Sequence, residues 1–452
     1  MSEADLTAIY RAFDSNEPLP GDDERYVDLA AVRGASRPAP RLVQRIQNAT
    51  GTSSHHLIMG HTKCGKTTEL NRTVRMLEQK NYATVFFDVA QFAGGTFEYT
   101  TVLLLMAGQL VSQLGKRKPK VNVKGATARQ LTDFLYERQI TMGGQLAADA
   151  TGKLDAKAAP GFLARFLGEL GLGLELRAGF QRTRAITVQL EADIRGFLDA
   201  IHTLVLDAEQ KARDAGHKGL VVICDGCDKL VPRATDEGGR NRDLQHALFV
   251  DHAPVLRSVP CHVIYTVPIS IPENLGDVWE QNPEFVPAIP VTDLPGVSSD
   301  HANQGRAALQ EVVRRRLEQQ GTTIQALFEN AQSLDPLIVA SGGHVSDLIL
   351  LVREAVLEAQ TDSASTLTRS HLDRSILRRA LEYTRLVETR YLPVLAAIDK
   401  AKTPQSGSDE YREVLFKRLA LEYLYGKEIR VDLHPLVAAS DAYQRWSIVQ
   451  PT

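Results

Sequence analysis

The stretch that most restricts this chain is Gly60-His61-Thr62-Lys63-Cys64-Gly65-Lys66-Thr67-Thr68. It follows His56-Leu57-Ile58-Met59, a short apolar run that suits a buried strand. Beyond it, Leu70, Val74 and Leu77 recur at helical spacing with charged residues between them. Strand, glycine turn and helix in this order predict an α/β fold. A parallel sheet carries such loops at its strand ends, with helices on both faces.

The spacing G-x-x-x-x-G-K-T is the P-loop pattern. Gly60 and Gly65 let the backbone turn tightly, so N–H groups from His61, Thr62, Lys63 and Cys64 onward can face a phosphate. The helix that opens at Lys66, Thr67 and Thr68 adds the positive end of its dipole. Lys66 can reach the β- and γ-phosphates, and the Thr67 hydroxyl can ligate Mg²⁺. Cys64 is a small residue in a crowded loop, and its place near a helix start also favours a thiolate.

A second phosphate-site element is Leu220-Val221-Val222-Ile223-Cys224-Asp225-Gly226-Cys227-Asp228-Lys229. A β-branched run ending in acid reads as a buried strand delivering a carboxylate to its C-terminal end, the Walker B pattern. Asp225 is placed to hold Mg²⁺. Asp228 can orient or deprotonate an attacking water, or simply pair with a neighbouring base. Cys224-x-x-Cys227 has no second pair or histidine spacing to make a zinc or redox motif.

The order of P-loop, intervening strand Ala83–Val89 and acidic strand resembles the AAA+ and STAND branch of P-loop ATPases. D-G-x-D-K at Asp225 to Lys229 is similar to STAND and KAP-type boxes. AAA+ motors more often carry two adjacent acids there. Several expectations follow from the resemblance. Cys261–Pro268 is the sensor-one strand, with Thr266 facing the γ-phosphate or water, or acting as an ordinary strand residue. Gly342–Arg353 corresponds to the sensor-two region, with His344 near the helix start. Ser346 stands where arginine is frequent, and Arg353 is two turns on. Arg257, Arg240 and Arg242 are candidates for a finger acting on a neighbouring subunit. Bacterial relatives of this branch often serve anti-phage defence or stress signalling.

The remaining chain divides around these motifs. Residues 1–50 form an arm, broken by Pro18, Pro20 and Gly21. Tyr26 and Val27 within it can cover an adenine or tie the arm to the core. Residues 51–295 form the ATPase core, which includes a helix over 99–114. Residues 116–182 are an insertion that begins with the basic cluster Lys116 to Lys120. Alternating Leu170, Leu172, Leu174 and Leu176 there predict a strand, either packed on the core or used as a self-association edge. A long helix is expected over 185–213 and another from His246 to Leu256. Residues 296–375 read as a helical lid. Residues 376–452 read as two helices and a hairpin turning at Gly426-Lys427, a small winged-helix-like unit. That unit serves packing and relay, or DNA binding.

Composition narrows the function. The formal net charge is −3, so the whole chain has no nucleic-acid footprint and any such contact needs a local patch. No apolar run reaches membrane-spanning length, and the N-terminus lacks the order of a secretory signal, so the expected compartment is the cytoplasm. A guanine-reading N-K-x-D box is not in place. The expectation is therefore an ATPase with ATP and Mg²⁺ as cofactors, used as a regulatory switch through a homo-oligomer or a protein partner. The alternative is an ATPase acting on DNA or remodelling a protein.

Overall fold

The computed structural model describes residues 3–449 other than 52, 94–96, 118–119, 124–125, 132, 135–192, 236–240, 272–273, 296–297 and 406. The arm contributes helices α1 (Glu3–Ala12) and α2 (Pro38–Gln47). Strand β1 (Ser54–Gly60) runs into the glycine loop and helix α3 (Lys66–Gln79). Strand β2 (Ala83–Asp88), helices α4 (Tyr99–Leu114) and α5 (Ile194–Asp214), and strands β3 (Leu220–Asp225), β4 (His262–Val267) and β5 (Glu284–Val286) complete the core. The five strands form one parallel sheet in the order β2-β3-β4-β1-β5.

Period-two alternation divides the strand side chains between two cores. Leu57, Val222, Cys224, Val263 and Tyr265 face α4 and α5. Ile58, Val221, Ile223 and Ile264 face α2 and α3, where they meet Leu42, Ile46, Leu70 and Leu77. Helix α4 is apolar nearly all round and is buried accordingly. The short β5 ends before Pro287 and forms the sheet edge, where a proline interrupts no ladder. The parallel register sets Asp88 opposite Asp225, so both carboxylates reach the same end of the sheet.

The segment read above as a lid contains α6 (Ser299–Glu318), α7 (Asp335–Ala340) and α8 (Val345–Thr361), followed by α9 (Arg369–Leu386). Helices α10 (Leu392–Ala401) and α11 (Asp409–Phe416) then lead into the antiparallel hairpin β6 (Ala420–Tyr425) and β7 (Glu428–Leu433). Arm, lid and C-terminal unit share one apolar core. Leu6 and Ile9 of α1, and Phe13 just after it, are buried in it together with Leu351 and Val352 of α8 and Val431 of β7.

Two expectations need adjustment. The helix expected from His246 to Leu256 is three pieces, with a wide turn at Ala247–Asp251 before Ala253–Arg257. Pro254 has no N–H for the carbonyl one turn back, so the regular ladder cannot run through. Among the described residues, the helix expected from 185 begins at Ile194, where the Asp193 carboxylate accepts the Gly196 N–H. The predicted Leu170–Leu176 strand lies outside the described residues, as does most of the insertion. Arg117 of the basic cluster donates to the Thr84 carbonyl at 3.1 Å and pairs with Glu78, which ties it to the sheet. No helix among the described residues is long and apolar enough to cross a membrane.

Candidate nucleotide site

A cleft of about 350 Å³ opens at the C-terminal end of the sheet, between the arm, the glycine loop and the lid. The loop ends at Gly65, whose φ of +105° is a left-handed value that other residues adopt only under strain. A Cβ built there meets nothing within 4 Å, so the backbone at this point borders open space. Helix α3 starts at the next residue, which leaves its first N–H groups free to face an anion.

Lys66 is 3% exposed. Its Nζ donates to the carbonyls of Gly60 at 2.8 Å and His61 at 2.7 Å, and pairs with Asp228 at 2.9 Å. Burial opposes its charge, but the carboxylate of Asp228 holds the ammonium above its ordinary range. The Thr67 hydroxyl donates to Asp225 Oδ2 at 2.7 Å. Asp225 also accepts the Gly226 N–H at 2.7 Å. Burial, then the charge of Asp228, raises the Asp225 carboxyl above the usual carboxylate range. The two sequence motifs thus meet as an ammonium, a hydroxyl and two carboxylates. Hard oxygen donors of this kind, beside an anion cradle, fit Mg²⁺ and a polyphosphate.

Thr266 does not line the cleft. Its hydroxyl accepts the N–H groups of Cys227 at 3.0 Å and Asp228 at 3.4 Å, so it shapes the turn that carries Asp228. Tyr26 and Val27 do line it. The Tyr26 hydroxyl donates to Glu69 at 2.9 Å, and the Arg72 guanidinium lies 3.8 Å over its ring. Lys63, Cys64 and Thr68 also border the cleft; Lys63 donates to Asn16 of the arm at 2.8 Å.

The two histidines face away from the cleft. His61 Nε2 accepts the backbone N–H of Glu422 in β6 at 2.9 Å. His344 Nε2 donates to the Thr62 carbonyl at 3.0 Å. Burial pushes both rings below their ordinary range, His344 to about 4 against the opposing charge of Asp347. They fasten the loop to the hairpin and to the start of α8. Arg353 pairs with Asp14 at 3.1 Å and lies over Tyr10, outside the cleft lining. Arg257 bonds the Val278 carbonyl and pairs with Glu280. Arg240 lies outside the described residues, and the side chain of Arg242 is not among the features described. The four cysteines form no disulfide, and no metal-binding cluster of His, Cys, Asp and Glu occurs among the described residues.

By sequence alone, the run Arg314-Arg315-Arg316 on α6 reads as a charged helix face. Arg316 is 6% exposed and lines the cleft. Burial, then the charge of Arg25, pushes its guanidinium down to about 10. The available signal was periodicity, since Arg316 is one turn beyond Val312 on the buried arc of α6. Arg33 was missed as well. It borders the cleft and donates to the Cys64 carbonyl at 2.9 Å.

No family model matches the sequence, and no curated protein matches it. Among solved structures, the chain is similar to a Walker-type ATPase of Pyrococcus abyssi at 12% identity, over 96% of this chain and 99% of that one, with a TM-score of 0.43. It is similar to the ORC2 protein of Aeropyrum pernix at 12% identity, over 97% and 98% of the two chains, with a TM-score of 0.43. A Drosophila ORC structure bound to DNA matches at 10% identity, over 99% and 92%, with a TM-score of 0.40. Likeness at this level carries no functional argument. The α/β P-loop fold is given by the chain's own sheet order and loop geometry.

Proposed function

We propose that this chain is an Mg²⁺-dependent ATP-binding and ATP-hydrolysing switch of the AAA+/STAND type, whose nucleotide state controls self-assembly or partner binding. The observation that carries the reading is the Lys66–Asp228 pair at 2.9 Å beside the Thr67–Asp225 hydrogen bond at 2.7 Å, at the sheet end of a walled cleft. Thr67 and Asp225 would hold Mg²⁺, which supplies charge neutralisation to the phosphate oxygens. The Lys66 ammonium donates to the phosphates, and the loop N–H groups orient them. Asp228, on a turn fixed by Thr266, accepts a hydrogen bond from the attacking water and sets its direction. Apolar residues from the arm and lid, among them Leu19, Val27, Val312 and Ile349, offer a surface for the base.

The switch reading is supported by how the loop is fastened. His61 and His344 join it to the hairpin and the lid, so displacement of the loop reaches both. A second reading, an ATPase acting on DNA, is favoured by the helix-helix-hairpin order of α10, α11, β6 and β7. Turnover measured with and without duplex DNA separates the two. The switch reading predicts a slow rate that DNA leaves unchanged, with a native mass that differs between ATP and ADP. Asp228→Asn should lower turnover on the order of a hundredfold while ATP remains bound. Strong stimulation by DNA would favour the second reading. Undiminished turnover in the variant would remove Asp228 from the chemistry.

A further inference from the structure

Three carboxylates reach the phosphate end of the cleft, and Lys66 answers one of them. Asp228 pairs with Lys66, and Asp225 accepts from Thr67. The third is Asp88, at the end of β2 opposite Asp225. Its Oδ1 accepts the Ala90 N–H at 2.9 Å, and its Oδ2 pairs with Lys229 Nζ at 2.7 Å. Lys229 follows Asp228 directly and lines the same cleft. Its side chain is 41% exposed, against 3% for Lys66.

The residue at 226 makes this pairing sterically possible. Gly226 has a φ of +78°, a left-handed value. A Cβ there would stand 1.8 Å from Asp88 Oδ1. The room that any other side chain would need is taken by the carboxylate that anchors Lys229. Three carboxylates gathered at this end of the cleft repel a polyphosphate unless cations offset them. The other lining cations have partners away from these carboxylates: Lys63 bonds Asn16, Arg33 the Cys64 carbonyl, Arg25 pairs with Asp23, and Arg316 donates to the Val312 carbonyl of its own helix. Lys229 is anchored beside Asp225 itself.

We propose that Lys229 is a second phosphate-contacting ammonium, supplied in cis by the turn after β3, with Asp88 as its positioning residue. The proposal rests on the ATP-hydrolase reading and adds a residue to it. In hydrolysis a water oxygen forms a bond to the terminal phosphorus as the bond to the bridging oxygen breaks. The electron pair leaves with ADP, and a water proton passes to Asp228 and then to solvent. Lys229 keeps its protons and donates a hydrogen bond to the charge that accumulates on the phosphate oxygens. A second copy of the chain then need not lend an arginine.

The test uses the full chain and calorimetric affinities for ATP and ADP with Mg²⁺, alongside turnover, for the parent, Lys229→Ala, Lys229→Arg and Lys66→Ala. Lys229→Ala should weaken ATP about tenfold and ADP less than about twofold, and lower turnover on the order of a hundredfold. Lys229→Arg should restore part of both losses. Equal weakening of ATP and ADP, or turnover within about threefold of the parent, overturns the proposal. In a parent that binds ATP without turning it over, the affinity split alone decides, and its absence in Lys229→Ala overturns the proposal. A parent that takes up no ATP, or a Lys66→Ala variant that binds as the parent does, defeats the nucleotide reading itself and is told apart in this way.

Discussion

Glu422 is a carboxyl placed where charge is costly. It lies on β6 with 8% exposure, and its one described side-chain partner is the Tyr411 hydroxyl at 3.4 Å. Burial pushes it up to about 7, against which the Tyr411 hydrogen bond works only weakly. Between its ordinary value and 7, the folded chain binds more protons than the unfolded one. Stability from this group is therefore full at low pH and is lost as pH rises through 7. Glu422→Gln should match the parent near pH 4.5 and exceed it by up to about 3 kcal/mol above pH 7. Urea titrations at several pH values check this, and parallel pH profiles would contradict it. The residues whose meeting was legible in the sequence were those placed by local spacing: Lys66, Thr67, Asp225 and Asp228. Arg316, His61 and Asp88 acquire their roles from neighbours distant in the chain, which no local pattern records.

The C-terminal hairpin shows the same division at the scale of elements. Its turn at Gly426-Lys427 was readable because alternating apolar residues flank a glycine pair position. The register, with Tyr425 opposite Glu428, follows. Its docking was not readable. Strand β6 bridges Ala288 through Tyr423, and the Tyr423 hydroxyl donates to the Gly342 carbonyl at 2.8 Å. Asp347 of α8 joins the lid to this unit. It pairs with Arg379 of α9 and with Arg418, and lies within 3.3 Å of both His344 and His434. Burial opposes its charge, yet Arg418 and the histidines hold it well below the usual carboxylate range. Asp347→Ala leaves the Arg418 guanidinium, only 17% exposed, without its counter-ion. Thermal or urea unfolding should report a loss of about 3–5 kcal/mol. A loss under about 1 kcal/mol would mean that the network contributes little to holding lid and hairpin together.

At the scale of the whole molecule, the described residues form a parallel sheet and a second core shared by arm, lid and C-terminal unit, with the cleft lined by residues of both. The core strands and the helix over 99–114 were predictable because apolar period and length agree there. The sharing of one core by the arm and the C-terminal unit was not, because it joins residues hundreds of positions apart, such as Leu6 and Val431. This arrangement gives one shared cleft three walls, and the proposed function makes nucleotide binding there depend on Lys66. Calorimetric titration of ATP with Mg²⁺ into the parent and into Lys66→Ala measures that dependence directly. The expected result is saturable binding by the parent and a loss of at least about a hundredfold, ~2.7 kcal/mol, in the variant. Equal affinity in the two proteins would contradict the account.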